Sequence, residues 1–512
     1  MPLTRMLSLA VLVAWWLPLA ACHAEPRPSN VPPGATLGIN LEGNYDWSTQ
    51  HPFVDVWKTS RPWFSGNATT WQDQQPLELD DRGNVRRLAP GQIARTLLFW
   101  DIGNHFPAGR YELTYRGRGR LRYEGVRLAE STPGRDVLDL TSDQRRGFGV
   151  FITETDPHDY LRDFHLWLPG VPRKQRFNPA FLERLRGFTS IRYVHWAEVD
   201  LEQAIHSHWS ERPQLDDCRW RPRGVPLEVM CELANVLGAD PWFCVPHAAD
   251  DDYVRQMAQL ICDKLDPQRR VYLEYSNEIW NGLFAQARYC QQLGVRENLG
   301  PNRFESQLRW YSRRARQVFG VWESVFPADK LVRVIAGQSG NAWVAKTELE
   351  FGDTLAHTDA LAIAPYFGGQ LGNPDSPTPF RGRTLDELFT ALSSTAMPMA
   401  IQEMTAHAAL AKEKGVALVA YEAGQHLVGV GPAQNDQALT NLFIAANRDP
   451  RMGPLYTRYL NAWRDADGQL CEVFVLCNNP NKHGAWGLVE WIDQPRAEAP
   501  KLDAVWGWMG SR

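Results

Sequence analysis

The sequence predicts an α/β fold, a (β/α)8 barrel carrying an additional small all-β domain of sandwich type. Three observations predict it. Along residues 170–495, short apolar segments alternate with helical ones, the pattern of parallel strands joined by crossover helices. Between residues 66 and 169 helical periodicity is scarce, and short strands are separated by Gly- and Pro-containing turns. With residues 37–41 as the first, the apolar strand candidates number eight, as a closed barrel of this class requires.

The chain opens on an export signal over residues 1–24. Arg5 supplies the positive start, and the apolar run 6–21 is too short, and too interrupted by Pro18, for a good membrane span. The run ends in Leu19-Ala20-Ala21-Cys22, which resembles a bacterial lipobox in which Cys22 becomes the lipidated N-terminus. Cleavage after Ala24, discarding Cys22, is the alternative. Both place the mature protein outside the cytoplasm: periplasmic, anchored to a bacterial outer membrane, or secreted. Residues 25–35 hold Pro26, Pro28, Pro32 and Pro33 and read as an extended tether.

The barrel is expected over 36–65 and 170–495, with the sandwich, 66–169, as an insertion; residues 496–512 read as a C-terminal tail. Residues 53–58 suggest a short helix. Sandwich strands are expected at 95–100, 110–115, 120–123, 149–153 and 163–168. Barrel strands follow at 190–196, 242–246, 271–278, 331–335, 360–364, 417–421 and 471–476. Helices are expected at 226–237, 252–265, a long stretch to about 319, and 385–392. The run Asp250-Asp251-Asp252 reads as a helix start, since it lacks the spacing of a calcium loop. A rival count makes 166–168 the first barrel strand and puts the sandwich wholly before the barrel. Either count leaves the fourth and seventh strands unchanged.

Composition narrows the function classes. A hydrophobic fraction of 44% with 22% charged residues excludes wholesale disorder and a polytopic membrane protein. A net charge of −5 gives no reason to expect a nucleic-acid partner. The 21 tryptophans offer flat apolar faces that suit sugar rings, alongside ordinary packing. Cys218 with Cys231, and Cys262 with Cys290, are candidate disulfides, each across a short connection. No Cys-x-x-Cys spacing, phosphate loop, Gly-x-Ser-x-Gly elbow or His-Glu-x-x-His site is present, so no metal and no cofactor is expected.

The chemistry rests on two carboxylates. The fourth strand, Val271-Tyr-Leu-Glu-Tyr-Ser-Asn-Glu-Ile-Trp280, stops at Asn277-Glu278, and the seventh, Val416-Ala-Leu-Val-Ala-Tyr-Glu-Ala-Gly424, ends at Glu422. Barrel active sites sit at the C-terminal ends of the strands. Glycoside hydrolysis needs two carboxyl groups there, an acid for the leaving oxygen and a second group that attacks the sugar carbon or activates water.

Asn-Glu ending the fourth strand, with a Glu ending the seventh, resembles glycoside hydrolase clan A, the retaining (β/α)8-barrel glycosidases. The resemblance covers about residues 170–495 as a pattern and identifies no subfamily. It implies that Glu278 is the general acid/base and Glu422 the nucleophile, that Asn277 binds the sugar 2-hydroxyl, that Tyr366 touches the nucleophile, and that Trp486 floors the cleavage subsite. The implied substrate is a β-linked poly- or oligosaccharide. A non-catalytic polysaccharide-binding lipoprotein on the same scaffold and a transglycosylase are the alternatives.

Other strand-end residues have two roles open. His247 would contact a sugar hydroxyl or serve as a buried hydrogen-bonded histidine. Trp196 and Gln338 would line the cleft, with core packing the alternative for Trp196. Trp280 would be wall or packing. Glu403 is the rival nucleophile, ranked lower because it precedes a helical stretch. Glu274 shares a face with Glu278 by the two-residue period and is expected to pair with an arginine, Arg192 being one candidate. Arg116, Arg118, Arg120 and Arg122 read as a solvated hairpin, with contact to an anionic polysaccharide the alternative, and Asn67-Ala68-Thr69 as a glycosylation sequon without consequence in a bacterial lipoprotein.

Overall fold

The computed structural model describes residues 29–141, 146–202, 206–375, 380 and 382–510. Eight parallel strands form a closed barrel in chain order: β1 (Thr36–Asn40), β2 (Ser190–Arg192), β3 (Asp240–Val245), β4 (Val271–Tyr275), β5 (Leu331–Ala336), β6 (Ala360–Ile363), β7 (Ala417–Ala423) and β8 (Leu470–Val473). Gly38 closes the ring, standing opposite Ser190 of β2 on one side and Glu472 of β8 on the other. Side chains alternate as the strand period dictates. Tyr272, Val332, Val334 and Val419 fill the interior, while Leu273, Ile335 and Leu418 pack beneath the helices.

The barrel interior is polar where its first and eighth strands meet. Glu472 is fully buried and accepts the Ser190 hydroxyl. Gly38 leaves the space, since a Cβ there would run into the Glu472 carboxyl.

Two four-stranded antiparallel sheets fall between β1 and β2 in chain order. One has the order Phe64–Gly66, Ile93–Leu98, Phe148–Thr155, Gly119–Glu124. The other has the order Arg162–Trp167, Gly109–Arg116, Arg135–Leu140, Arg127–Thr132. Leu98, Tyr111, Leu138, Val150, Phe164 and Leu166 form their shared core. Residues 166 and 167 thus belong to an antiparallel sheet and not to the barrel. Where sheets and barrel meet, a pocket of about 410 Å³ is lined by Phe53, His165, Trp167, Arg173, Arg176 and Trp220 among others; neither Glu278 nor Glu422 reaches it. Three of its charged side chains are already paired: Arg176 with Glu232, Arg173 with Glu112 and His165 with Asp55.

Several expectations need correction. β2 is short, because the chain leaves the barrel after Arg192 and turns through 194–200. The long helical stretch is two helices, Ala285–Arg296 and Arg303–Glu323. Pro301 lacks the N–H that continuation needs, and Asn302 caps the second helix by accepting from Glu305 N. The short helix expected at 53–58 is a 3-10 turn, Val56–Thr59. The described part of the expected tail, 496–510, is not one: the helix Pro500–Gly510 buries Leu502, Val505 and Trp508 in the core. The described part of the tether, 29–35, is pinned to the barrel. Asn30 donates to the carbonyls of Ala328 and Leu331, Ser29 to that of Asp359, and Val31 plugs the end of the barrel where the strands begin.

All seven cysteines from Cys218 onward are free thiols, so neither candidate pair is bonded. Cys218 lies in the core of the antiparallel sheets and Cys231 in that of the barrel; Cys290 is buried beneath its helix, whereas Cys262 is half-exposed. Cys22 lies outside the described residues.

Candidate active site

β4 points Tyr272 and Glu274 into the barrel and Leu273 and Tyr275 outward. Beyond it, Ser276 and Glu278 adopt left-handed backbone, with φ of 62° and 41°. Such conformations are costly for residues other than glycine and concentrate at functional sites. Here they turn Asn277 and Glu278 over the barrel mouth. Asn277 Oδ1 accepts from Arg192 Nη2 at 2.8 Å, and its Nδ2 donates to both Asp200 oxygens, at 3.1 and 3.3 Å. Gln286, fully buried, braces this arrangement by donating to Asp200 Oδ1 (2.7 Å) and to the Asn277 carbonyl (3.0 Å). Glu278 Oε1 accepts the Tyr421 phenol at 3.1 Å, and Oε2 accepts Asn281 Nδ2 at 2.9 Å.

β7 supplies the second carboxyl by an irregularity. Val419 and Tyr421 face the interior, so a regular strand would aim Glu422 at the helices. The pairing with β8 shifts register between Ala420 and Ala423. A bulge of this kind re-aims a side chain, and Glu422 joins Tyr421 inside. Glu422 Oε1 accepts from Arg192 Nη1 at 3.0 Å and Oε2 from the Tyr366 hydroxyl at 3.1 Å.

Arg192, the last residue of β2, is the hub. It is fully buried and reaches Glu274 through Nε and Nη2 (3.2 and 2.9 Å), Asn40 Oδ1 through Nη1 (3.2 Å), and both Asn277 and Glu422. Trp242 Nε1 donates to the same Glu274 oxygen at 2.9 Å. The Glu274–Arg192 pairing expected from the strand period is therefore present, inside the barrel.

Burial pushes Glu422 up to about 8, aided by the charges of Glu278 and Asp200 and opposed by Arg192 and Tyr366. Burial also raises Glu278, with Asp200 adding to it and Asn281, Tyr421 and Arg192 opposing. Each carboxyl thus sits where ionisation is costly and the other is felt.

The other predicted residues divide. Tyr366 sits on Glu422, and the half-buried Trp486 ring lies against Tyr366 (centroids 5.8 Å apart), with its Nε1 donating to the His483 carbonyl. His247 is buried beside the site; its ring meets Tyr289 edge-on, and its carbonyl accepts the Tyr275 phenol. Trp280 is half-buried beside Tyr421. Trp196 is corrected to core: it is fully buried among Phe53, Phe181 and Tyr193, and its Nε1 is spent on the Glu42 carbonyl. Gln338 follows β5 next to Ser339, and no hydrogen bond joins it to either glutamate. Glu403 lies on the helix Met397–Lys414 and accepts the Ser339 hydroxyl, away from Glu278 and Glu422.

Sequence reasoning missed Asp200, Gln286 and the contact of Tyr421 with Glu278, and it named Arg192 only as a partner of Glu274. An arginine at an inward position of an apolar strand was the one available signal. Asp200 sits in an irregular turn that carries no periodicity.

No protein-family model and no curated protein matches this sequence. Solved structures do. A GH51 arabinofuranosidase from Xanthomonas axonopodis pv. citri matches at 12% identity and TM-score 0.35, over 60% of this chain and 62% of that one. A Cellulomonas fimi endo-beta-1,4-mannanase double mutant matches at 12% and 0.36, over 62% of each chain. A GH5-4 broad specificity endoglucanase from Clostridium longisporum matches at 11% and 0.40, over 65% of this chain and 86% of that one. The chain thus spans 62% of the length of the first two. Similarity at this level bears on nothing beyond the course of the backbone, and the barrel stands on its own strand pairing.

Proposed function

We propose that this protein is an exported retaining glycoside hydrolase cleaving a β-linked poly- or oligosaccharide by double displacement. One observation carries the reading: two carboxyl groups at one barrel mouth, Glu422 buried and Glu278 half-buried, are held by unlike partners. Among the described residues Glu278 receives only neutral donors, Tyr421 and Asn281, whereas Glu422 receives the Arg192 cation and the Tyr366 phenol. A cation in contact favours the ionised form, and burial with neutral donors leaves a carboxyl able to keep its proton. With burial raising both groups, the pair keeps one proton near neutral pH, and the Arg192 contact leaves that proton on Glu278 and makes Glu422 the anion.

The roles follow. Glu278 protonates the leaving oxygen while Glu422 attacks the anomeric carbon; Glu278, now ionised, takes a proton from the water that releases the sugar. Direct attack requires carboxyl groups about 5–5.5 Å apart. Arg192 and Tyr366 orient the nucleophile. Asn277 keeps one amide hydrogen for the 2-hydroxyl after giving the other to Asp200. Trp486 offers a ring face for stacking beside Tyr366. Export rests on the N-terminal signal, and membrane anchoring on lipidation of Cys22.

The test is reducing-end release from a panel of β-linked polysaccharides, run beside Glu278→Gln and Glu422→Gln. Release by the wild-type protein and loss in both variants is expected. Undiminished release by either variant rejects the assignment.

A further inference from the structure

Beside the mouth, the loops after β1 and β2 bring together four side chains that double displacement does not use. The Tyr45 ring folds back over Gly43, where any Cβ would collide with it. Tyr45 and Trp47 stack with centroids 4.8 Å apart, and Trp47 is 39% exposed. Arg221 lays its guanidinium over both rings, 4.2 Å from the Tyr45 centroid and 4.7 Å from that of Trp47. The Arg221 side chain is 22% exposed, and among the described residues it donates no hydrogen bond. Its nearest acid is Glu198, whose Oε1 lies 4.0 Å from Nε. The Glu198 side chain is only 5% exposed, and Oε1 is buried without a hydrogen-bond partner.

An orphaned buried acceptor, an undischarged donor fork and an aromatic backing therefore converge on one place. The place adjoins the reaction centre. The charge of Asp200, which binds Asn277, is felt by Glu198 and Tyr45 as well as by Glu278 and Glu422. A buried polar atom left unpaired is costly and calls for a partner. A fork of donors beside a carboxylate acceptor matches two neighbouring hydroxyls of a sugar, one accepting from Arg221 and the other donating to Glu198. The aromatic rings suit the apolar face of the same sugar. An acidic sugar fits less well, because its carboxylate would meet three acids, Glu42, Glu198 and Asp200, against the single cation of Arg221, all close to Tyr45.

We propose that Tyr45, Trp47, Glu198 and Arg221 form a sugar subsite flanking the cleavage position, one that reads adjacent hydroxyls of an uncharged sugar residue. The proposal rests on the glycosidase reading for its place in catalysis.

The experiment compares wild type, Glu198→Gln, Arg221→Lys and Arg221→Ala on an uncharged oligosaccharide, on its aryl monoglycoside and on a polyuronate of similar length. Thermal melts confirm that each variant is folded. Each variant is expected to lose about tenfold more in kcat/KM on the oligosaccharide than on the monoglycoside, mostly through KM, as removal of a hydroxyl contact does. Equal loss on both substrates marks a merely structural role and overturns the proposal, as does a wild-type preference for the polyuronate. A wild-type protein that cleaves nothing counts against the glycosidase reading instead. Calorimetric binding of the uncharged oligosaccharide, lost in Arg221→Ala, then still supports the subsite, and binding retained in that variant overturns it.

Discussion

Tyr421 donates its phenol proton to Glu278 at 3.1 Å, although Tyr421 lies on β7 and Glu278 just past the end of β4, three strands away around the barrel. The next residue is Glu422, so one dipeptide of β7 both supplies one carboxyl and holds the other. Two successive strand residues can face the same interior only because the ladder shifts register there.

The unlike partners of the two glutamates predict unlike variants. Glu278→Gln should lower kcat/KM on natural glycosides by about 10²–10⁴-fold, the usual contribution of a general acid. It should lose far less on aryl glycosides whose leaving group needs no proton. Glu422→Gln should lose activity on both. Steady-state rates on matched alkyl and aryl glycosides check this.

Asp200→Asn removes a negative charge that raises both carboxyls. Arg192, Glu422 and the donors Tyr421 and Asn281 remain around Glu278. With less repulsion each glutamate gives up its proton more readily, so both limbs of the kcat/KM profile should move to lower pH, by up to about one unit. A fall in rate with unmoved limbs would show that Asp200 acts only by holding Asn277 in place.

Arg192→Met leaves Glu274 buried without its cation. Removing one partner of a buried pair costs about 3–5 kcal/mol, and urea unfolding should show a loss of that order. The double variant Arg192→Met with Glu274→Gln should recover part of it.

Glu472 is fully buried, and burial pushes its carboxyl up to about 8, above the ordinary value of 4.5. The folded chain therefore holds this proton more tightly than the unfolded chain does. The contribution to stability is complete below pH 4.5 and is lost as pH rises to about 8. Glu472→Gln should flatten that part of the stability–pH curve, measured by urea midpoints from pH 4.5 to 8.5.

What the sequence disclosed follows from burial. Barrel strands such as Leu331–Ala336 and Ala417–Ala423 are covered on both faces and read as apolar runs. Asn277-Glu278 stood out because it ends such a run. The strand Arg127–Thr132 escaped notice because it is exposed along nearly all its length and carries no apolar alternation. The Arg192 hub is tertiary, joining β1, β2, β4 and β7, and local pattern has no means of showing it. Trp196 shows the limit of reading tryptophan as a sugar platform, since a large ring at a strand end serves equally as core.

The most direct measurement is covalent trapping. A 2-deoxy-2-fluoro glycosyl fluoride, matched to whichever sugar the polysaccharide panel identifies, should inactivate the enzyme and leave one sugar on the peptide that contains Glu422, located by mass spectrometry. A label on Glu403 or Glu278, or turnover without any trapped intermediate, would contradict the account.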